Sequence, residues 1–353
     1  MIFSMGDAPR PTRTAALGLV VAVAAAGLVG YLIARPRIPL SPAPTATASS
    51  SSAPRSSALI GPASTAGYSV ADDIATHQIL VFGGISDNAA TWVWDGVRWT
   101  LAQPFASPPG RIDAAAAYDP ALRLVLLFGG HGAPGTDLTD TWAWDGASWH
   151  EMDKGSSTQG PRSDASMTWD PALNEMVLVT GGPGDSATTT WVWSRTHWIR
   201  LRSGLPFPPA ALTVGYDPVT HALIAVGSGQ VPVPSPGSRT QTWAWDGRAW
   251  RRIATRNDPA VGALAGLGWD PPTHRLLMFG AGTTLSDPGS LWAWDGTHWT
   301  QVPRALGVPI LDGALVSTDT ALLLVGALDT SPQRPAPIKV WAWADASWRL
   351  ASG

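Results

Sequence analysis

Thr141-Trp142-Ala143-Trp144-Asp145-Gly146-Ala147-Ser148-Trp149 belongs to a pattern that recurs from Thr91, Thr190, Thr242, Leu291 and Val340. The first tryptophans of these copies, Trp92, Trp142, Trp191, Trp243, Trp292 and Trp341, are 50, 49, 52, 49 and 49 residues apart. Self-similarity at a fixed period of this size marks a solenoid, a propeller or a tandem array. Of the 20 Trp, all but Trp169 and Trp269 lie in these units.

Working outward from the second copy, Ile112 to Tyr118 is a short run of small and apolar residues, expected as a first strand, a. Asp119-Pro120-Ala121-Leu122 reads as a turn, because Asp bonds to nearby backbone and Pro presets its own φ. Leu124 to Phe128 is a continuous apolar run ending in Gly129-Gly130, which suits a strand buried on both faces, b. After a longer loop, Thr141 to Trp144 forms strand c. Asp145-Gly146 is a hairpin signal, and Ser148 to Met152 forms strand d. The turn aspartate recurs at Asp73, Asp170, Asp217, Asp270 and, in a shorter form, Asp319. Four strands in each of six units predict an all-β chain of 24 strands.

A four-stranded unit cannot bury both of its faces alone, whereas units stacked around an axis cover one another and leave few open edges. Residues two apart on a strand share a face, so Trp142 and Trp144 project together. The position between them is small in every copy: Val93, Ala143, Val192, Ala244, Ala293 and Ala342. The paired indoles of one unit are therefore expected to lie on the small-residue face of the next.

The repeat, a hydrophobic strand ending in Gly-Gly, then an aromatic in the third strand and Trp in the fourth, resembles the kelch motif over residues 62–350. Its Tyr/Trp-Asp-Pro, Phe-Gly-Gly and Thr-Trp-x-Trp-Asp-Gly-x-x-Trp elements look like those of bacterial galactose-oxidase-like propellers. The resemblance is strongest in the first three units. The diglycine becomes Gly227-Ser228, Gly280-Ala281 and Gly326-Ala327 in the others. It implies a six-bladed β-propeller, with strand a innermost and strand d outermost, blades in phase with the repeats, and no strand exchanged between the last and first blades. It implies fold and not oxidase activity. That chemistry needs a copper site with a tyrosine–cysteine crosslink, and the chain has no Cys and four Tyr. No cofactor and no metal site are expected.

The propeller is expected over residues 61–353. Ahead of it, residues 15–34 carry no charge and are long enough, at about 30 Å of helix, to cross a bilayer. Arg10 and Arg13 precede this run, and Arg35 and Arg37 follow it. The expectation is an uncleaved membrane anchor following a cytoplasmic segment (1–14), with a cleaved signal peptide as the alternative. Residues 35–60, rich in Pro, Ser, Thr and Ala, read as a stalk with too little to bury. The propeller would then stand outside the cytoplasm. Charged residues make up 14% of the chain and the formal net charge is -3, which argues against a nucleic-acid partner.

In a four-stranded meander the short a–b and c–d turns share one end and the longer b–c and d–a loops share the other. Variable loops on a rigid scaffold commonly carry binding, so the long-loop end is the expected site. Its candidate ligand-binding residues are Arg111 and Asp113, Arg162 and Asp164, then His131, Asp137, Arg239, Asp287 and Asp312. A competing reading pairs Arg111 with Asp113 and Arg162 with Asp164 as surface ion pairs. The turn aspartates recur in step with the repeat, as structural caps would. The expected function is non-catalytic binding of a protein or a cell-surface glycan. The alternatives are a carbohydrate-active enzyme using an acid pair such as Asp113 and Asp164, which would need to stand about 5–10 Å apart, and a structural role in the envelope.

Overall fold

A computed structural model describes residues 61–352 except 65, 86–88, 133–135, 156–164, 182–185, 209–211, 229–239, 260–262, 282–288, 304–311 and 328–335. The chain is a six-bladed β-propeller of four antiparallel strands per blade. A two-residue strand, β1 (Ala63–Ser64), precedes the first blade. Blade one is β2 (Tyr68–Asp73), β3 (Gln78–Gly83), β4 (Thr91–Trp94) and β5 (Trp99–Leu101). Blade two is β6 (Ala115–Asp119), β7 (Leu124–Phe128), β8 (Thr141–Trp144) and β9 (Trp149–Asp153). Blade three is β10 (Ser166–Asp170), β11 (Glu175–Thr180), β12 (Thr189–Trp193) and β13 (Trp198–Arg200). Blade four is β14 (Leu212–Asp217), β15 (Ala222–Gly227), β16 (Gln241–Trp245) and β17 (Trp250–Ile253). Blade five is β18 (Ala263–Asp270), β19 (Arg275–Ala281), β20 (Ser290–Trp294) and β21 (Trp299–Val302). Blade six is β22 (Asp312–Ser317), β23 (Leu322–Ala327), β24 (Ala336–Ala344) and β25 (Ser347–Ser352). The membrane anchor and stalk expected over residues 15–60 lie outside the described residues.

The paired indoles are the cement, and they face backward along the chain rather than forward. Trp142, Trp144 and Trp149 of blade two pack on Leu80, Phe82 and Val93 of blade one. Trp191, Trp193 and Trp198 of blade three pack on Phe128 and Ala143 of blade two. The ring closes in the same way, with Trp92, Trp94 and Trp99 of blade one against Val325, Val340 and Ala342 of blade six. The small residue between the indoles leaves room for those of the following blade. Within each blade the second and third tryptophans also meet, as Trp144 and Trp149 do at 5.4 Å between ring centres. Strand b is the buried centre of each blade; Val125, Leu126, Leu127 and Phe128 are all fully buried.

The turn aspartates cap structure. Asp119 Oδ1 accepts from the backbone N–H groups of Ala121 and Leu122 at 2.9 and 3.0 Å. Asp145 Oδ1 accepts from those of Ala147 and Ser148 at 2.8 Å each. The a–b turn leaves its fifth residue left-handed, at φ 56° for His77, 59° for Arg123, 56° for Asn174, 53° for His221 and 52° for His274. Asn and His suit that slot, since they tolerate the left-handed region better than most residues; Arg123 has no such preference. In blade six, Thr318 rather than Asp319 takes the capping position. Ser317 pairs with Leu322, and the Thr318 hydroxyl bonds Ala321 within a tighter two-residue turn.

One expectation about closure is overturned. The leading half of β24 extends past its pairing with β25 and needs a further partner on that edge. In blade three that role falls to the segment after strand d, where Thr188 N–H donates to Leu205 O and Thr190 N–H to Ser203 O, each at 2.9 Å. In blade six it falls to the start of the domain. β1 pairs antiparallel with β24, Ala63 opposite Pro337 and Ser64 opposite Ala336. Ile338 N–H donates to Pro62 O at 2.8 Å. A short N-terminal strand is therefore exchanged onto the last blade.

Candidate functional site

The inner strands meet across the blade seams. Ser69 Oγ donates to Ala114 O at 2.8 Å, Val214 N–H donates to Ser166 Oγ at 3.0 Å, and Trp269 N–H donates to Ser317 Oγ at 2.7 Å. They surround an axial channel of about 610 Å3. Most of its wall is Ala, Gly, Ser, Thr, Val and Leu.

At the long-loop end, Arg111 is a pillar of the scaffold. Its guanidinium is fully buried and forms a two-pronged ion pair with Asp140, at 2.7 and 2.8 Å. It also donates to Gly129 O at 2.9 Å and to Pro109 O at 3.0 Å. Asp140 in turn accepts from Trp142 Nε1 at 2.7 Å. Burial pushes the Asp140 carboxyl up, but the bonds and charge of Arg111, helped by the Trp142 indole, outweigh it and hold the pKa below the ordinary carboxylate value. The partner is thus Asp140 and not Asp113. Asp113 is left-handed, at φ 56°, and its N–H donates to Gly67 O at 2.8 Å across the seam with blade one.

The structure brings two other candidates together. His131 Nδ1 contacts Asp137 Oδ1, with side chains 32% and 16% exposed. His131 exchanges backbone bonds with Ile112, at 2.9 and 2.8 Å, beside Asp113. Leu138 N–H donates to Gly130 O at 2.8 Å and closes the small loop that carries both residues. Gly130 is left-handed at φ 90°, and a side chain there would strike Ile112 O. Arg162, Asp164, Arg239 and Asp287 lie outside the described residues. Asp312 begins β22, its backbone opposite Ala327. Among the described residues no group of three or more His, Asp or Glu could hold a metal ion.

At the opposite, short-turn end the channel wall changes character. The last inner-strand residue before the turn aspartate is Tyr118, Trp169, Tyr216 and Trp269 on blades two to five, all half-buried and lining the channel. Each of three rings is backed by the left-handed residue of its own turn. The Arg123 side chain lies against the Tyr118 hydroxyl and favours its ionised form, Tyr216 Oη lies 3.4 Å from His221 Nδ1, and Trp269 meets the His274 ring at 6.1 Å. On blade one the same position is Asp72, and on blade six it is Ser317 followed by Thr318 and Asp319. Burial, then repulsion from Asp319 and Asp73, pushes the Asp72 pKa up to about 7. The sequence did carry a sign of this end: Trp169 and Trp269 stand outside the repeated tryptophan units, each directly before a turn aspartate.

Comparison with known proteins comes down to architecture. No family model matches the chain, and no curated protein matches it. Solved structures do. SapL1 lectin in complex with alpha methyl fucoside is 16% identical, with 84% of this chain and 97% of that one covered and a TM-score of 0.57. YjhT is 13% identical, with 82% and 99% covered and a TM-score of 0.56. A fucose-specific lectin from Aleuria aurantia is 12% identical, with 82% and 96% covered and a TM-score of 0.54. The likeness is one of fold.

Proposed function

We propose that this propeller is a non-catalytic glycan-binding module, displayed outside the cytoplasm on a membrane anchor formed by residues 15–34. The observation that carries the reading is the His131–Asp137 pair at the long-loop end. A partly exposed imidazole is held by a carboxylate, on a loop fixed by backbone bonds to Ile112. Pre-oriented polar groups of this kind suit a polyhydroxylated ligand, because the cost of ordering them is met in folding. The two lectins among the similar structures support the same reading by analogy of fold. The repeat itself supports placing the chain with kelch-type propellers.

The test is a glycan array probed with the full chain in detergent, followed by product analysis on each glycan retained. Saturable binding that Asp137→Asn or His131→Ala weakens at least about tenfold, with the glycan recovered intact, is the expected result. Release of new reducing ends would replace this reading with that of a carbohydrate-active enzyme. Carbonate extraction of cell membranes tests the anchor: the chain should stay with the bilayer.

A further inference from the structure

The short-turn mouth of the channel has a division of labour that neither the repeat nor the glycan reading requires. Four consecutive blades place an aromatic ring at one level of the wall: Tyr118, Trp169, Tyr216 and Trp269. The two remaining blades, neighbours across the closure of the ring, carry carboxylates at this mouth: Asp72 at the level of the rings, and Asp319 in the exposed turn two residues beyond Ser317. An arc of rings therefore faces an acidic arc across one opening. Both halves favour the same kind of guest. Aromatic faces attract cations through the ring quadrupole, and in a partly desolvated mouth a carboxylate pair gains from a positive charge between its members. The rings alone would accept any apolar body, and the carboxylates alone any cation. Together they select a positive charge carried on a compact apolar body.

We propose that the short-turn mouth of the channel binds a small organic ammonium compound, with its charge toward Asp72 and Asp319 and its alkyl groups against the rings of blades two to five. The site is separate from the long-loop end and does not depend on the glycan reading. Asp72 is suited to the task, since a carboxyl raised by burial and by its acidic neighbours is relieved when a cation arrives. The backing of Tyr118 by Arg123, Tyr216 by His221 and Trp269 by His274 comes from the strand-b side of each turn and helps fix the rings in place.

Choline and its neutral carbon isostere, dimethylbutanol, separate charge from shape. Both are titrated calorimetrically against the full chain in detergent, and against Asp72→Asn and Trp269→Leu, with a thermal melt as the folding control for each variant. The expected result is saturable choline binding at least about tenfold tighter than that of the isostere. Asp72→Asn should remove most of that difference and leave the isostere unchanged, and Trp269→Leu should weaken both ligands. Equal affinities for choline and the isostere would overturn the proposal, as would choline binding unaltered in a folded Asp72→Asn or no saturable choline binding up to about 10 mM. Should either variant fail to fold, the comparison of the two ligands on the parent chain decides alone.

Discussion

Trp149 of blade two donates its indole N–H to the Thr91 hydroxyl of blade one, 2.9 Å away across the seam. The same bond joins Trp198 to Thr141, Trp250 to Thr190 and Trp299 to Thr242, at 2.9, 2.9 and 2.8 Å. Thr is thus the first residue of the repeated unit for the sake of the following blade. The rule breaks where that residue is Leu291 or Val340. The indole N–H groups facing them, on Trp348 and Trp99, are buried with no hydrogen-bond partner among the described residues. An unsatisfied buried donor costs about 1–3 kcal/mol. Thr242→Val should therefore lower stability by that amount, because it strips the partner from the fully buried Trp299. Val340→Thr, close to it in shape, should raise stability by about 1 kcal/mol by giving Trp99 an acceptor. Calorimetric melts of the two variants check both signs.

The propeller was legible in the sequence because its signals repeat: the tryptophan spacing, the turn aspartates and the apolar strand b each recur blade after blade. What the repeat does not carry stayed hidden. β1 is two residues long, follows Gly61 and Pro62 at the very start of the expected propeller, directly after the stalk, and pairs with a strand more than 270 residues away. Arg111 and Asp113 look like natural partners two residues apart, yet the fold turns the guanidinium inward to Asp140, 29 residues along the chain. The direction in which the indoles face is invisible for a different reason. The small residues between them are compatible with either neighbour, and only the handedness of the ring decides.

Arg111 tests the difference between a binding residue and a structural one. Removing one member of a buried ion pair leaves the other charge uncompensated, at a cost of about 3–5 kcal/mol. Arg111→Ala and Asp140→Ala should each lower the thermal midpoint clearly, and Arg111→Lys should not restore it, because Lys cannot supply the two-pronged contact. Any loss of glycan retention by Arg111→Ala should track the loss of folded protein. A well-folded Arg111→Ala that has lost binding would instead place Arg111 in the ligand site.

The strand exchanged onto blade six should be the point at which the ring opens. Gly61 has no room for a side chain, since a Cβ there would lie 2.9 Å from the Trp99 indole. Gly61→Leu should displace the latch while leaving the sequence of every repeated unit unchanged. Hydrogen exchange should then speed up at the Ile338 amide, whose acceptor is Pro62 O, while the amides of strand b in blades two to four keep their protection. Uniform loss of protection across all blades would show that the latch governs the whole ring rather than its seam.

Asp72 gives the channel mouth a pH signature in the folding equilibrium. Burial and its acidic neighbours raise its pKa to about 7 in the folded chain, against an ordinary 3.8, so the folded state holds on to a proton that the unfolded chain gives up. Where the native state binds more protons, stability falls as pH rises. The penalty is absent below the unfolded value, grows between about pH 4 and pH 7, and is complete above that. Asp72→Asn removes the titration and keeps the shape. Relative to the parent, it should therefore raise the melting midpoint by a few degrees at about pH 8 and leave it nearly unchanged at about pH 4. A fixed concentration of choline should raise the parent's midpoint more at about pH 8 than at about pH 4, where the carboxyl is already neutral and the rings alone hold the ligand. A midpoint difference between parent and Asp72→Asn that does not vary with pH would mean that Asp72 titrates alike in the folded and unfolded chains, and that the acidic arc is better solvated than its place in the channel wall implies.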